Sequence, residues 1–579
     1  MREPLFYLLL LLAVAYIIIT PARMEFSNVK STKNNNTENI KLPYSFNSEK
    51  SEEFTISFNL SIKNKRTAKF NIIPDDCIQE ILINGKTFPL DGIKGLCDYS
   101  KGAYFDFSKY VQEESNFFEI RVLNHSGPGG LKIQTPYNGF KSLSFMHYVF
   151  TLLLLFSIAL ILRKFKFEFI AISIILLGIV VRLILYSYVE PNQYSNDTNG
   201  HLKYVQIISE KKYLPKNDEC WSCFHPPLYY ITSAIIKNIA DRYDPGLTDR
   251  ILQQESLLFS FAYVIFGVAL ILNLFGNSRI AYLAAFVSVL WPGFVISAPR
   301  IGNDSLFYFG ALFCMLFVQR YWHLHKDSDM LLASIGAAIA LSAKSTGFII
   351  LGVWIIVYVF SIVRLLKFGS LRTLLASAFI IALFAGFSNY RAIVDVFEGK
   401  KIELVGNTGG IGDGDRVNNT VGNYLYFDLQ DYLMEPYTSP YEDKGGRQYF
   451  WNFVLKTSLF GEWRFWDTPA GYIFAIALST LALLIFTLAL WGIIHAKFKD
   501  LPPLFFVIFL FIGLIYLRYS YSYSCSNNFR YIFPALFPLV YFAVNGVQIL
   551  ENSRLKILAY VSMLLFAILS FLFIVGRAF

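Results

Sequence analysis

Twelve apolar runs, most of them separated by a short loop, constrain this chain more than any other feature. They fall at about residues 146–162, 168–188, 256–275, 279–297, 305–321, 330–342, 346–363, 371–388, 470–494, 502–518, 530–547 and 555–574. Roughly 20 apolar residues wound as a helix cross a ~30 Å hydrocarbon core, and most of these runs approach that length. Composition agrees: 55% of residues are hydrophobic, 16% are charged and the mean hydropathy is +0.44, which excludes a soluble chain of 579 residues. The net charge of +9 does not mark a nucleic-acid protein, because Lys and Arg cluster in the short loops between apolar runs. That is the pattern of a polytopic membrane protein.

Charge also orders the loops. Met1-Arg2 followed by an apolar stretch over residues 5–20 reads as a signal anchor. Pro21-Ala22-Arg23 lacks a small-x-small cleavage site, so residues 1–23 are expected to stay as a membrane helix. With that anchor starting inside, the basic loops at 163–166, 279, 323–326, 364–372, 495–499 and 554–556 all fall in the cytoplasm. The count is about thirteen spans: a transmembrane core over 146–388 and C-terminal helices over 470–579. The same parity places 189–255, 299–304, 342–346, the long loop 389–469 and 519–530 on the outer side. The unusual chemistry lies in those loops, so an outward-facing site is expected, in an integral membrane protein of the plasma, inner or endoplasmic-reticulum membrane.

Residues 24–145 form a polar outer domain with strand signals. Phe54-Thr-Ile-Ser-Phe-Asn-Leu-Ser-Ile62 alternates apolar and polar residues, as a half-buried strand does. Asn84-Gly85 is the favoured two-residue hairpin turn, and a Gly/Pro turn is expected at 127–130. The expectation is a small antiparallel β-sandwich, loosely similar to jelly-roll carbohydrate-binding modules, serving as scaffold or sugar binder. Cys77 and Cys97 lie in this domain and are candidates for a disulfide.

The outer loop 189–255 carries the candidate site. Ser195-Asn196-Asp197 is a run of helix N-cap formers, and Asp197, His201, Tyr204 and Ile208 follow at spacings of one helix face. A carboxylate thus meets water at the end of an apolar segment, with an imidazole one turn below. It reads either as a capping residue or as a catalytic one. Cys220-Trp-Ser-Cys223 with His225 has a metal-like spacing, but in an oxidising compartment a local disulfide is preferred to zinc. Asn303-Asp304 opens a helix and reads first as a cap. Lys344 ends a run of about 13 apolar residues that rises only ~20 Å, so it either snorkels or sits in a polar cavity. Arg530 reads as an interfacial anchor or as a phosphate clamp. The cluster Phe460-Gly-Glu-Trp-Arg-Phe-Trp466, which holds Glu462, is an interfacial belt or a sugar-stacking surface. The Gly/Asp-rich segment 409–415 matches neither a phosphate loop nor an EF-hand and reads as a mobile segment.

In order along residues 146–547, the pieces Asp197…His201…Leu214-Pro215…His225-Pro-Pro-Leu-Tyr-Tyr230, Arg300-Ile-Gly-Asn-Asp304, Leu341-Ser-Ala-Lys344 and Arg530-Tyr-Ile-Phe-Pro534 resemble the GT-C superfamily of integral membrane glycosyltransferases. The nearest branch is that of protein O-mannosyltransferases and aminoarabinose transferases. The resemblance implies a mainly α membrane protein that takes a sugar from a polyprenyl-phosphate donor and inverts the anomeric centre. It implies an acidic residue of the first large outer loop, here Asp197, as catalytic base. Lys344, Arg530 and Arg300 are then expected to bind the donor phosphate, and His201, His225, Asp304 and Glu462 the acceptor or substrate. Many relatives carry an Asp-Glu pair where this chain has Asp197-Thr198, which leaves the acceptor class and any divalent metal open. No metal ligand set is expected and no nucleic acid; the partners are the donor, an extracytoplasmic protein, lipid or glycan acceptor, and membrane lipid. Two other classes compete: a lipid-linked-sugar transporter or flippase, and a glycan-binding membrane protein without activity.

Overall fold

The computed structural model describes residues 25–134, 145–365, 371–389, 397 and 415–577, apart from 35, 41, 43, 49, 63–67, 94, 100, 101, 113, 126, 190, 192, 196 and 244–247. The expected anchor over residues 1–23, Asn196 and the Gly/Asp-rich segment up to residue 414 lie outside the described residues. Two compact units divide the chain, one over residues 20–144 and the other comprising residues 1–19 and 145–579.

The smaller unit is all β among its described residues. Its strands are β1 (Glu25–Lys33), β2 (Asn36–Asn39), β3 (Tyr44–Ser48), β4 (Glu52–Ile62), β5 (Lys69–Pro74), β6 (Cys77–Ile83), β7 (Lys86–Thr87), β8 (Ala103–Asp106), β9 (Glu114–Asn124) and β10 (Gly127–Gln134). They pair antiparallel into two sheets, ordered β2-β1-β4-β9-β6-β7 and β3-β10-β5-β8. The alternation along β4 sends Phe54, Ile56, Phe58 and Leu60 into the core, each 1% exposed or less. Phe58 stacks on Phe118 of β9, and Phe118 in turn meets Phe70 of β5, so one apolar core serves both sheets. Asn84 and Gly85 have φ of 52° and 76°, the left-handed pair that a tight hairpin between β6 and β7 requires.

The expected turn at 127–130 is a strand instead. Residues Gly127 to Leu131 pair with Ser48 to Tyr44, and a Cβ on Gly130 would lie 2.4 Å from the Tyr44 carbonyl oxygen. The glycines mark a close approach of two backbones, which composition does not distinguish from a turn. A disulfide joins Cys77 at the start of β6 to Cys97.

The larger unit is helical and belongs in a membrane. Among the described residues six helical segments are long and apolar enough to span one: Phe169–Tyr188, Thr248–Phe275, Pro469–Ile494, Phe498–Ser520, Ser524–Ile549 and Ser553–Gly576. Arg279–Val289, Gly347–Phe360 and Arg372–Ser388 are shorter apolar helices. The helix lengths among the described residues do not confirm the count of about thirteen spans. The run at 279–297 breaks at Trp291-Pro292 into Arg279–Val289 and a short helix Pro292–Ile296. The run at 530–547 starts as a 3₁₀ segment, Phe529–Ala535, with Pro534 inside it, and becomes α-helical only at Leu536–Ile549. Proline lacks the N–H that a continuous helix needs, while hydropathy registers no change there.

These breaks leave helix ends near one another, and the candidate residues sit on them. Asp197 precedes Thr198–Lys211, Asp304 opens Asp304–Leu324, Lys344 follows Asp327–Ala343, and Arg530 lies in the 3₁₀ segment.

Candidate active site

Asp197 occupies the N-cap position, yet its side chain makes no capping hydrogen bond. Its backbone is left-handed, with φ 58° and ψ 21°, whereas a capping residue is ordinarily extended. The Thr198 hydroxyl donates to the Ser195 hydroxyl at 2.6 Å nearby. One oxygen of the Asp197 carboxylate, Oδ1, accepts from the Trp221 indole N–H at 2.9 Å. The other, Oδ2, stands 3.7 Å from Nη2 of Arg530. The Asp197 side chain is 39% exposed, against 10% for Arg530. An open carboxylate thus rests on a buried cation.

Asp304 and Lys344 form the second ion pair of the site. The Lys344 ammonium donates to Oδ1 of Asp304 and lies 4.3 Å over the ring of Tyr531. Lys344 is buried, so it does not snorkel to the surface. Asn303 holds the N-cap position of Asp304–Leu324 without capping it; its amide donates to the Ala343 carbonyl at 2.8 Å. That bond ties the start of one helix to the end of another, which is how Asp304 and Lys344 meet across forty residues of sequence.

Beneath Asp197 the two histidines lie nearly parallel, His201 against His225, with ring centroids 5.9 Å apart. Nδ1 of His201 is hydrogen-bonded to the Tyr230 hydroxyl at 2.8 Å, and its Nε2 faces Gly302, where any side chain would press on the ring. The Gly302 N–H donates to the Tyr229 hydroxyl at 3.1 Å, which fixes the loop before Asp304. Burial lowers the His201 imidazole from an ordinary 6.5 to about 4, opposed in part by the charges of Asp197 and Asp304. Burial likewise holds His225 well below its ordinary range, and a proton on the adjacent His201 would lower it further. Both rings are neutral at neutral pH, and Nδ1 of His225 is buried without a hydrogen-bond partner among the described residues.

Arg300 and Glu462 complete the set. Both are buried, and the Arg300 guanidinium approaches Gly461. Oε1 of Glu462 accepts from the Asn528 amide at 2.8 Å, while Oδ1 of Asn528 accepts the Arg530 backbone N–H at 2.8 Å. Glu462 therefore supports the Arg530 turn through Asn528. The Arg530 carbonyl receives a hydrogen bond from Tyr308 at 2.6 Å. Nε of Arg300 and Nε of Arg530 are buried with no hydrogen-bond partner among the described residues. Cys220 and Cys223 are joined in a disulfide around Trp221. Cys77 and Cys97 belong to the other unit.

The sequence alone assigns no separate role to Trp221, Tyr531, Asn528 or Tyr230. Trp221 was legible only as the residue between two cysteines, and Tyr531 only as the neighbour of Arg530. Their roles come from contacts 24 residues apart or more, or with a cation brought in by another helix. Among the described residues no group of three His, Cys, Asp or Glu side chains is arranged to hold a metal ion.

No protein-family model matches the chain, and no curated protein matches it. Solved structures do. An oligosaccharyltransferase from Archaeoglobus fulgidus in the apo form is similar at 13% identity and a TM-score of 0.37 over 70% of this chain and 56% of its own. The same enzyme tethered to an acceptor peptide containing the NVT sequon gives 13% identity and a TM-score of 0.38 over 70% and 55%. Arabinosyltransferase EmbB from Mycobacterium smegmatis gives 12% and 0.31 over 94% and 63%. The chain spans a little over half the length of the archaeal enzyme and under two thirds of the mycobacterial one. All three structures are of enzymes named for the transfer of a sugar or oligosaccharide.

Proposed function

We propose that the chain is a GT-C-type membrane glycosyltransferase, which moves a sugar from a polyprenyl-phosphate donor to an extracytoplasmic acceptor hydroxyl with inversion. The observation that carries this reading is that the buried guanidinium Nε–H groups of the site's two arginines, Arg300 and Arg530, have no hydrogen-bond acceptor among the described residues. Buried polar groups are nearly always satisfied, and an arginine fork fits phosphate oxygens. Asp197 stands beside one of those forks with its carboxylate open to solvent.

In the proposed reaction the acceptor oxygen attacks C1 of the sugar while its proton passes to Asp197. The bond from C1 to the phosphate oxygen breaks, and the lipid phosphate departs with the electron pair. Arg530, Arg300 and Lys344 stabilise the charge that grows on it, where low surrounding polarity makes fixed cations count. Lys344 is already paired with Asp304, so the arginines are the main phosphate donors. General-base help from a positioned carboxylate is worth roughly 10²–10⁴-fold. Neutral His201 and His225 line the floor and serve as hydrogen-bonding partners for substrate.

The test is turnover by purified protein supplied with a polyprenyl-phosphate sugar. Asp197→Asn should lower turnover by roughly 10²-fold or more while donor binding survives. Normal turnover in that variant would remove Asp197 from the base role.

A further inference from the structure

Trp221 sits in the smallest ring of the site. The Cys220–Cys223 disulfide closes on either side of it and of Ser222, and both Ser222 and Cys223 are fully buried. Gly200, in the first turn of Thr198–Lys211, lets that ring approach: a Cβ there would lie 2.6 Å from the Ser222 hydroxyl and 3.0 Å from Cβ of Trp221. The indole is therefore gripped at its base by a covalent ring and by the helix that Asp197 begins. Its N–H donates to Oδ1 of Asp197 at 2.9 Å.

The carboxylate has little else to hold it. It makes no capping bond, its side chain is 39% exposed, and Arg530 is beyond hydrogen-bond distance at 3.7 Å. A carboxylate on an exposed helix start otherwise rotates among rotamers, and a base has to lie within hydrogen-bond reach of the proton it takes. We propose that Trp221, clamped by the Cys220–Cys223 bridge, is the positioning residue of the Asp197 carboxylate, so that turnover depends on the oxidised state of this pair. The proposal rests on the reading of Asp197 as base. In the donated hydrogen bond Oδ1 is fixed, which leaves Oδ2 to face Arg530 and the substrate. Reduction opens the ring to two thiols: the added phosphine supplies the two electrons and leaves as its oxide, water supplies that oxygen and the two thiol protons, and the indole is freed.

The test uses the full-length purified protein and a polyprenyl-phosphate sugar. Trp221→Phe keeps the ring and removes the donor, so kcat should fall about tenfold with the donor KM unchanged, the scale of one hydrogen bond to a charged group. In an Asp197→Asn background the same change should cost nothing further, because the carboxylate it positions is gone. Treating the wild type with a phosphine reductant should reproduce the loss, and reoxidation should restore it. Cys220→Ser/Cys223→Ser should start at the lowered rate and not respond to reductant, which separates this pair from Cys77–Cys97. Should Trp221→Phe fail to fold, the reductant on wild type decides. Wild-type kcat in Trp221→Phe, losses that add in the double variant, or indifference of the wild type to reductant would each overturn the proposal. Full turnover in Asp197→Asn would instead sink the base assignment on which it stands.

Discussion

The Arg530 guanidinium lies 3.7 Å from the Asp197 carboxylate, joining residues 333 positions apart, one at the start of Thr198–Lys211 and the other in the proline-broken segment Phe529–Ala535. At that separation the pair is an ion pair without a hydrogen bond, so each partner keeps capacity for a ligand. Arg530→Lys keeps the charge but loses the planar fork and the Nε–H. The expected outcome is a donor KM raised by roughly tenfold with a smaller fall in kcat, read from steady-state kinetics. An unchanged donor KM would place the phosphate elsewhere.

Lys344 and Asp304 pair inside the unit, with side-chain exposures of 6% and 17%. Lys344→Met leaves the Asp304 carboxylate buried without its partner, which should cost about 3–5 kcal/mol and lower the unfolding midpoint in detergent. Lys344→Met/Asp304→Leu removes both charges and should recover most of that stability. Turnover should stay low in both, since the cation is missing. Recovery of turnover in the double variant would reduce the pair to a structural role.

His201 gives stability a pH dependence of known sign. Its folded imidazole is held down to about 4 by burial, while the unfolded chain titrates at an ordinary 6.5. Below 6.5 the unfolded state binds a proton that the folded state refuses, so stability falls between pH 6.5 and 4 and levels off below that. His225 acts in the same direction. His201→Gln should flatten this part of the curve in pH-dependent thermal unfolding; an unaltered slope would mean that His201 is charged in the fold.

Tyr441 is 71% exposed, within tens of residues of Glu462, in the loop expected on the outer side. Tyr441→Cys should react with a membrane-impermeant maleimide in intact cells. Labelling only after permeabilisation would put the loop, and the site with it, on the cytoplasmic side.

The sequence by itself determined the elements whose signal is local. The membrane class followed from apolar runs, strand β4 from strict alternation, and the hairpin of β6 and β7 from Asn84-Gly85. Each depends on residues within a few positions, where periodicity and backbone preference act directly. Polar residues at helix ends are legible too: Asp197 follows N-cap formers, and Asp304, Lys344 and Arg530 each stand at the end of an apolar run. Tertiary structure decided the rest. Hydropathy cannot see that Trp291-Pro292 and Pro534 interrupt their runs, nor that Gly127–Gly130 belongs to a strand whose backbone at Gly130 leaves no room for a Cβ. No local rule says that Asp197 declines to cap its helix, because the competing partners, Trp221 and Arg530, arrive from 24 and 333 residues away. A cap is chosen by neighbours in sequence. This carboxylate is oriented by neighbours in space, and only the folded chain brings them within reach.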